Sequence, residues 1–262
     1  MLSLPSHASD KSYVLARAPQ LSPNLLTRDW LPFTEYLSKQ TGSDIRLKVY
    51  ENRSVFELDV KNGLVDLYYG NPGYGVVGHE RHGYMPLIRS DAKLLHGILV
   101  VRADSNITKV RQLSNETLVF PSESAFAASK FLRSHLRKTE KINFTPMYIG
   151  THDNVYRSVV IGEFIAGGGV ERTLNREPSQ LREKLRTIYK TPGLKPHPLM
   201  AHPKVPAALQ KAIQQAVLQL QDSAEGRKML NKLKIKQPVI PDYHRDYAPI
   251  LPLVKEMYSN LF

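Results

Sequence analysis

The spacing of apolar residues changes period repeatedly along the chain, and each change marks an element. Tyr13-Val14-Leu15-Ala16 reads as a first strand. Leu26, Trp30, Phe33 and Leu37 then recur every three or four residues, which predicts a helix over residues 25–41 closed by Gly42 in a left-handed cap. Ile45 to Tyr50 alternates as a strand, and Ser54 is the expected N-cap of a helix ending near Gly63. Leu67-Tyr68-Tyr69 is a short strand, Gly70-Asn71-Pro72-Gly73 a turn, and Leu94 to Val101 a long apolar strand.

The rhythm restarts after Val101. Strands are predicted at Thr117 to Phe120, Phe144 to Ile149, Phe164 to Ala166 and Leu185 to Tyr189, and helices at Ala125 to Leu136 and Thr151 to Ile161. The last third is helical, at Pro206 to Leu220, Ser223 to Leu233 and Asp242 to Tyr258, each opening on a residue that starts helices. Such alternation predicts an α/β protein with largely parallel sheets: two mixed units joined by a long strand, and a helical tail that packs back on the first. Residues 13–100 with 200–262 are expected to form lobe 1, residues 101–199 lobe 2, and residues 1–12 a signal-peptide remnant or a disordered start. Ligands of such sheets bind beyond the carboxyl ends of the strands, here in a cleft between lobes.

Composition removes several classes. The 262 residues include no Cys, so thiolate nucleophiles, Cys-ligated zinc, iron–sulfur clusters, disulfides and a Cys-borne lipid anchor are excluded. No apolar run reaches the roughly 18–20 residues of a bilayer span. Lys and Arg outnumber Asp and Glu by 36 to 24, and most of the excess sits in residues 101–200, with 16 basic and 9 acidic side chains. That field attracts anions. Arg133, Arg137, Lys138 and Lys141 form its nearest approach to a cluster and read as a solvated helix face; base-stacking aromatics are not interleaved there, so nucleic acid is not the expected partner. Met1 to Ala8 ends in a small-x-small pattern, as the tail of a secretory signal does.

Two loops carry candidate chemistry. Pro121-Ser122-Glu123-Ser124-Ala125 joins a strand to a helix, so Ser122 or Ser124 can cap while free N–H groups face a ligand; Gly150-Thr151-His152-Asp153-Asn154 repeats the arrangement, with Thr151 as the capping hydroxyl and His152 in the first turn. Successive βα units place their helix starts on one side of a sheet, so the two junctions together define an anion site. Gly167-Gly168-Gly169 fits neither nucleotide fingerprint and reads as a close-approach turn. His79-Glu80-Arg81-His82 has the wrong spacing for a zinc-protease helix, and no nucleophile elbow or isolated carboxylate pair is present, so no metal, cofactor or catalytic residue is assigned.

Across nearly the whole chain the order and spacing of short motifs resemble the phosphonate/phosphate-type periplasmic substrate-binding proteins of ABC transporters. The resemblance runs from Ala18-Pro19 through Trp30-Leu31-Pro32-Phe33, Gly70-Asn71-Pro72 and Tyr74, Val100 to Ser105, Ser122 to Ala125 and Gly150 to Asp153, to Thr191-Pro192-Gly193 and Pro198-Leu199. It implies the two-lobed type II periplasmic-binding-protein fold. It further implies that Ser122, Glu123, Ser124 and Ala125, with Thr151 and His152, hold a tetrahedral anion, while Tyr74 closes from the other lobe. The family's usual Ser-Thr-Ser-Gly loop here has Glu123 and Ala125 in its second and fourth places. Ile165 stands where amine-binding members carry an Asp after the strand, and Asn52 replaces a cleft Tyr, which argues against an aminoalkyl-phosphonate and brings in Arg53, Asn52 and Glu171 as further contacts. The resulting expectation is a soluble, monomeric, periplasmic binding protein that performs no chemistry and passes a small anionic ligand to an ABC permease. A sensory subunit read by a membrane histidine kinase and an enzyme on the same scaffold are the alternatives.

Overall fold

The computed structural model describes residues 11–19 and 23–262, so the suggested signal remnant, apart from Lys11 and Ser12, lies outside the described residues. Its first half runs β1 (Tyr13–Arg17), α1 (Pro23–Thr41), β2 (Ile45–Val49), α2 (Arg53–Lys61), β3 (Leu67–Tyr69), α3 (Pro72–His82), β4 (Met85–Ser90), β5 (Gly97–Arg102), β6 (Thr117–Phe120). Next come α4 (Leu132–Lys138), β7 (Thr145–Tyr148), α5 (His152–Val160), β8 (Gly167–Val170), the single turns α6 (Glu171–Leu174) and α7 (Ser179–Arg182), and β9 (Leu185–Lys190). The chain ends with β10 (Pro198–Ala201), α8 (Ala207–Gln219), α9 (Ala224–Leu233), β11 (Pro238–Val239), α10 (Tyr243–Asp246) and α11 (Leu251–Met257). Internal contacts divide this chain into two units, one made of residues up to Lys93 together with Lys195–Phe262, the other of Leu94–Leu194.

Unit 1 holds a six-stranded sheet in the order β11-β4-β10-β3-β1-β2. Strands β1, β2 and β3 are parallel, and β10 is antiparallel to both β3 and β4. The apolar stripe of α1 is buried as its spacing demands: Leu26, Trp30, Phe33 and Leu37 share a core with Leu15 and Ile45 of the strands and with Leu209, Ile213 and Leu230 of the returning helices. Each such side chain contributes roughly 1.5–3 kcal/mol when fully buried. Farther along the sheet, Arg89 is buried and donates from Nε to Asp246 Oδ2 at 3.1 Å, and also pairs with Asp91. Hydrogen bonds from Arg245, and then from Arg89, hold the Asp246 carboxyl well below its usual range despite its burial. Tyr247 donates to the Pro196 carbonyl at 2.9 Å, so the α10 region fastens the segments at both chain crossings to unit 1.

Unit 2 has a five-stranded sheet ordered β7-β6-β8-β5-β9. β6 is parallel to β7 and β8, and β5 is antiparallel to β8 and β9. One face packs Leu118 and Phe120 on Leu132 and Leu136 of α4; the other packs Val119 on Val155 and Val159 of α5. Leu95 and Leu194 exchange backbone hydrogen bonds of 2.8 and 3.0 Å where the chain enters and leaves the unit.

Several sequence expectations are corrected. Asn52, not Ser54, caps α2. The expected turn at residues 70–73 opens α3, with Asn71 as N-cap and Pro72 in its first turn. Farther along α3 a glycine serves close packing, since a Cβ on Gly78 would fall 3.1 Å from Tyr68 Cζ. β4 was not anticipated. The strand expected at residues 164–166 lies at Gly167–Val170, so the triple glycine is the strand itself. Close approach was the right reason: a Cβ on Gly168 would stand 2.6 Å from both the Ala128 carbonyl oxygen and Phe120 Cε1. The single helix expected over residues 242–258 is broken into α10, a tight turn at Ala248–Ile250 containing Pro249, and α11.

Candidate anion site on the unit 2 sheet

The parallel pairing of β6 and β7 sets Phe120 beside Tyr148, so the loops that follow leave the same edge of the sheet. The first, Pro121 to Ala125, enters a π-helical turn, Phe126–Phe131, that runs directly into α4. The Ala125 carbonyl accepts from both Ser129 N–H and Lys130 N–H at 3.0 Å, which widens this first turn. Ala125 itself occupies the N-cap position and supplies no side-chain cap, so the first-turn N–H groups have no earlier helical carbonyl to meet. Ser122 and Ser124 are half-buried and Glu123 is exposed; the Ser122 carbonyl accepts Ala125 N–H at 3.3 Å.

The second loop places Thr151 as N-cap of α5, its hydroxyl accepting Asn154 N–H at 3.2 Å, as the sequence suggested. His152 begins the helix. Its Nδ1 is buried without a hydrogen-bond partner, and burial lowers its pKa to about 4, with Arg172 reinforcing and Asp153 opposing the shift. At neutral pH the ring is therefore neutral, with one donor and one acceptor nitrogen. A buried unsatisfied ring nitrogen costs about 1–3 kcal/mol, which a ligand reaching it would recover.

Glu171 follows β8 at this same edge, and both its carboxylate oxygens accept from Lys190 Nζ, at 3.2 and 3.3 Å. Ile165 precedes β8 and belongs to the opposite edge, so an acid does stand after the strand, in the person of Glu171. The argument against an amine-bearing ligand that rested on Ile165 is thereby removed.

Unit 1 presents its own carboxyl edge. Asn52 Oδ1 accepts Val55 N–H at 3.0 Å, a capping role. Asn52→Ala is expected to cost about 1 kcal/mol of stability in urea unfolding. Arg53 donates to the Pro19 carbonyl at 3.4 Å. Tyr74 is only 1% exposed, and its hydroxyl donates to Glu57 Oε1 at 2.6 Å. Burial above all raises the Tyr74 pKa. Sequence reasoning missed Arg17 at the end of β1, whose guanidinium lies 5.0 Å from the ring centroids of both Trp30 and Tyr69 while Nη1 donates to the Ala18 carbonyl at 2.8 Å. An Arg ending an apolar strand was the available signal.

Two mixed sheets flanked by helices, with loops gathered at carboxyl edges, constitute the type II periplasmic binding-protein fold. The chain belongs to the family of periplasmic substrate-binding proteins of phosphonate ABC transporters, whose family model matches residues 15–247. No curated protein matches it in sequence. Among solved structures, PhnD1 of Prochlorococcus marinus in complex with methylphosphonate is similar, with 16% identity, a TM-score of 0.78, and coverage of 96% of this chain and 99% of that one. A Xanthomonas citri protein bound to ATP gives 16%, 0.80, 95% and 98% for the same measures. A binding-protein component of an ABC phosphonate transporter from Pseudomonas aeruginosa gives 13%, 0.69, 95% and 96%.

Proposed function

We propose that the protein captures a small tetrahedral oxyanion, a phosphonate or phosphate, at the carboxyl edge of the unit 2 sheet and delivers it in the periplasm to an ABC permease, without chemical change. One observation carries the reading: two neighbouring strand-to-helix junctions open at one sheet edge, and beside them His152 Nδ1 is buried with no partner. Amide donors at the start of the π-helical turn, the Ser122 and Ser124 hydroxyls and His152 match the many acceptor oxygens of such an anion. The methylphosphonate and ATP bound by the two similar proteins both present phosphorus oxyanions, which supports the class.

The test is a melting series with methylphosphonate, phosphate, sulfate and acetate. A ligand at 100 times its Kd adds about 2.7 kcal/mol to stability. For a chain of this size that raises Tm by roughly 5–10 °C. Methylphosphonate or phosphate is expected to give such a shift; equal, negligible shifts from all four anions at millimolar concentration would sink the reading.

A further inference from the structure

Arg133 is a residue of unit 2 that neither the fold nor the anion loops account for. It lies in α4, on the helix that folds back from the Ser122–Ala125 loop, and helical side chains lean toward the start of their helix. Its guanidinium carbon is 5.4 Å from the ring centroid of Tyr148, the β7 residue paired with Phe120 at the foot of that loop. Its Nε is buried and makes no hydrogen bond, and no carboxylate among the described residues forms an ion pair with it. Other arginines of the unit are satisfied: Arg102 pairs with Asp104, and Arg186 donates to the Ser105 and Ile107 carbonyls at 3.0 Å.

The charges around Arg133 define what it lacks. Burial lowers its pKa, Arg137 acts in the same direction, and the Tyr148 hydroxyl and the exposed Glu123 act against them. A guanidinium does not lose its proton in a protein, so the group stays a cation, partly desolvated and without an anion in contact. Leaving a charge in that state is costly unless a partner arrives. The Tyr148 ring, itself half-exposed, gives the planar group a fixed platform, which keeps its fork oriented.

We infer that Arg133, braced on Tyr148, receives a second acidic group of the ligand, so that the preferred anion is a phosphonate or phosphate whose organic substituent carries a carboxylate or another phosphate. The inference rests on the anion reading above and narrows it. The tetrahedral head would stay with the loop amides and His152, while Arg133 would select among substituents. Glu123, exposed on the same loop, would reject ligands whose second acid is placed toward it.

Calorimetric titration of methylphosphonate and phosphonoacetate separates the two claims, because the probes share a head group and differ by one carboxylate. The wild-type protein is expected to bind phosphonoacetate at least about 10-fold more tightly, the worth of a charge-assisted hydrogen bond. Arg133→Gln should weaken phosphonoacetate about 10-fold more than methylphosphonate, and Arg133→Lys should restore part of that difference. Far-ultraviolet circular dichroism melts would show that both variants fold. Equal wild-type affinities, or an Arg133→Gln loss that is the same for both probes, would overturn the inference and leave the receptor reading standing. If neither probe binds the wild-type protein, this inference falls; if phosphate also fails to bind, the receptor reading falls with it.

Discussion

His152→Ala is expected to weaken binding of methylphosphonate or phosphate at least 10-fold, the loss of one hydrogen bond to a charged group at about 1.5–3 kcal/mol. The ring is held where α5 begins, with its Nδ1 buried and without a hydrogen-bond partner among the described residues. The same residue sets an acid dependence. Its folded-state pKa is about 4, below the 6.5 of an unperturbed histidine, so the unfolded chain takes up the proton first as pH falls. Stability from the neutral ring is complete above pH 6.5 and is lost as pH falls toward 4, by up to roughly 3 kcal/mol. A bound oxyanion favours the protonated ring, so saturating ligand should shrink that loss, and His152→Gln should abolish it with or without ligand. Urea unfolding at pH 7 and pH 4.5 reads all three. An unchanged affinity in His152→Ala would remove the residue from the site.

Gly168→Val should be severely destabilising to unit 2. Even the first added carbon would stand 2.6 Å from the backbone carbonyl of Ala128, in the π-helical turn, and from the Phe120 ring. Neither neighbour is the free end of a flexible chain. The π-helical turn would have to lift from β8, and the loop before it carries Ser122 and Ser124. A loss of more than about 4 kcal/mol is expected, in the diagnostic tail for point substitutions. That corresponds to a Tm lowered by at least roughly 8 °C. A melting temperature within about 2 °C of wild type would show that the sheet tolerates a side chain there.

What could be read from the sequence was whatever is local. The α1 stripe and the α8 and α9 patterns repeat at helical spacing and mark buried faces without reference to the rest of the chain. Thr151 and His152 were legible because a capping hydroxyl acts within one turn. Helix α3 was not, because Gly70 and Gly73 imitate a turn, and the packing of Gly75 on Pro198 and of Gly78 on Tyr68 depends on residues brought from elsewhere. The same holds for β8: three glycines carry no apolar alternation, and Val155, Phe120, Ala128 and Tyr156, brought from elsewhere, explain them. Arg133 looked like one member of a solvated helix face because its meaning depends on a strand that follows it in sequence and packs beside it in space. The widened turn after Ala125 has no sequence signature at all.

The paired backbone at Leu95 and Leu194 has a practical meaning for anyone who wishes to dissect the molecule. Because entrance and exit of the inserted segment are laced together within the segment itself, it is closed like a purse at its neck. Residues 94–194 are one contiguous and compact stretch of polypeptide, so expressing that stretch alone is expected to give a folded unit on which the proposed anion loops can be probed apart from the rest of the chain.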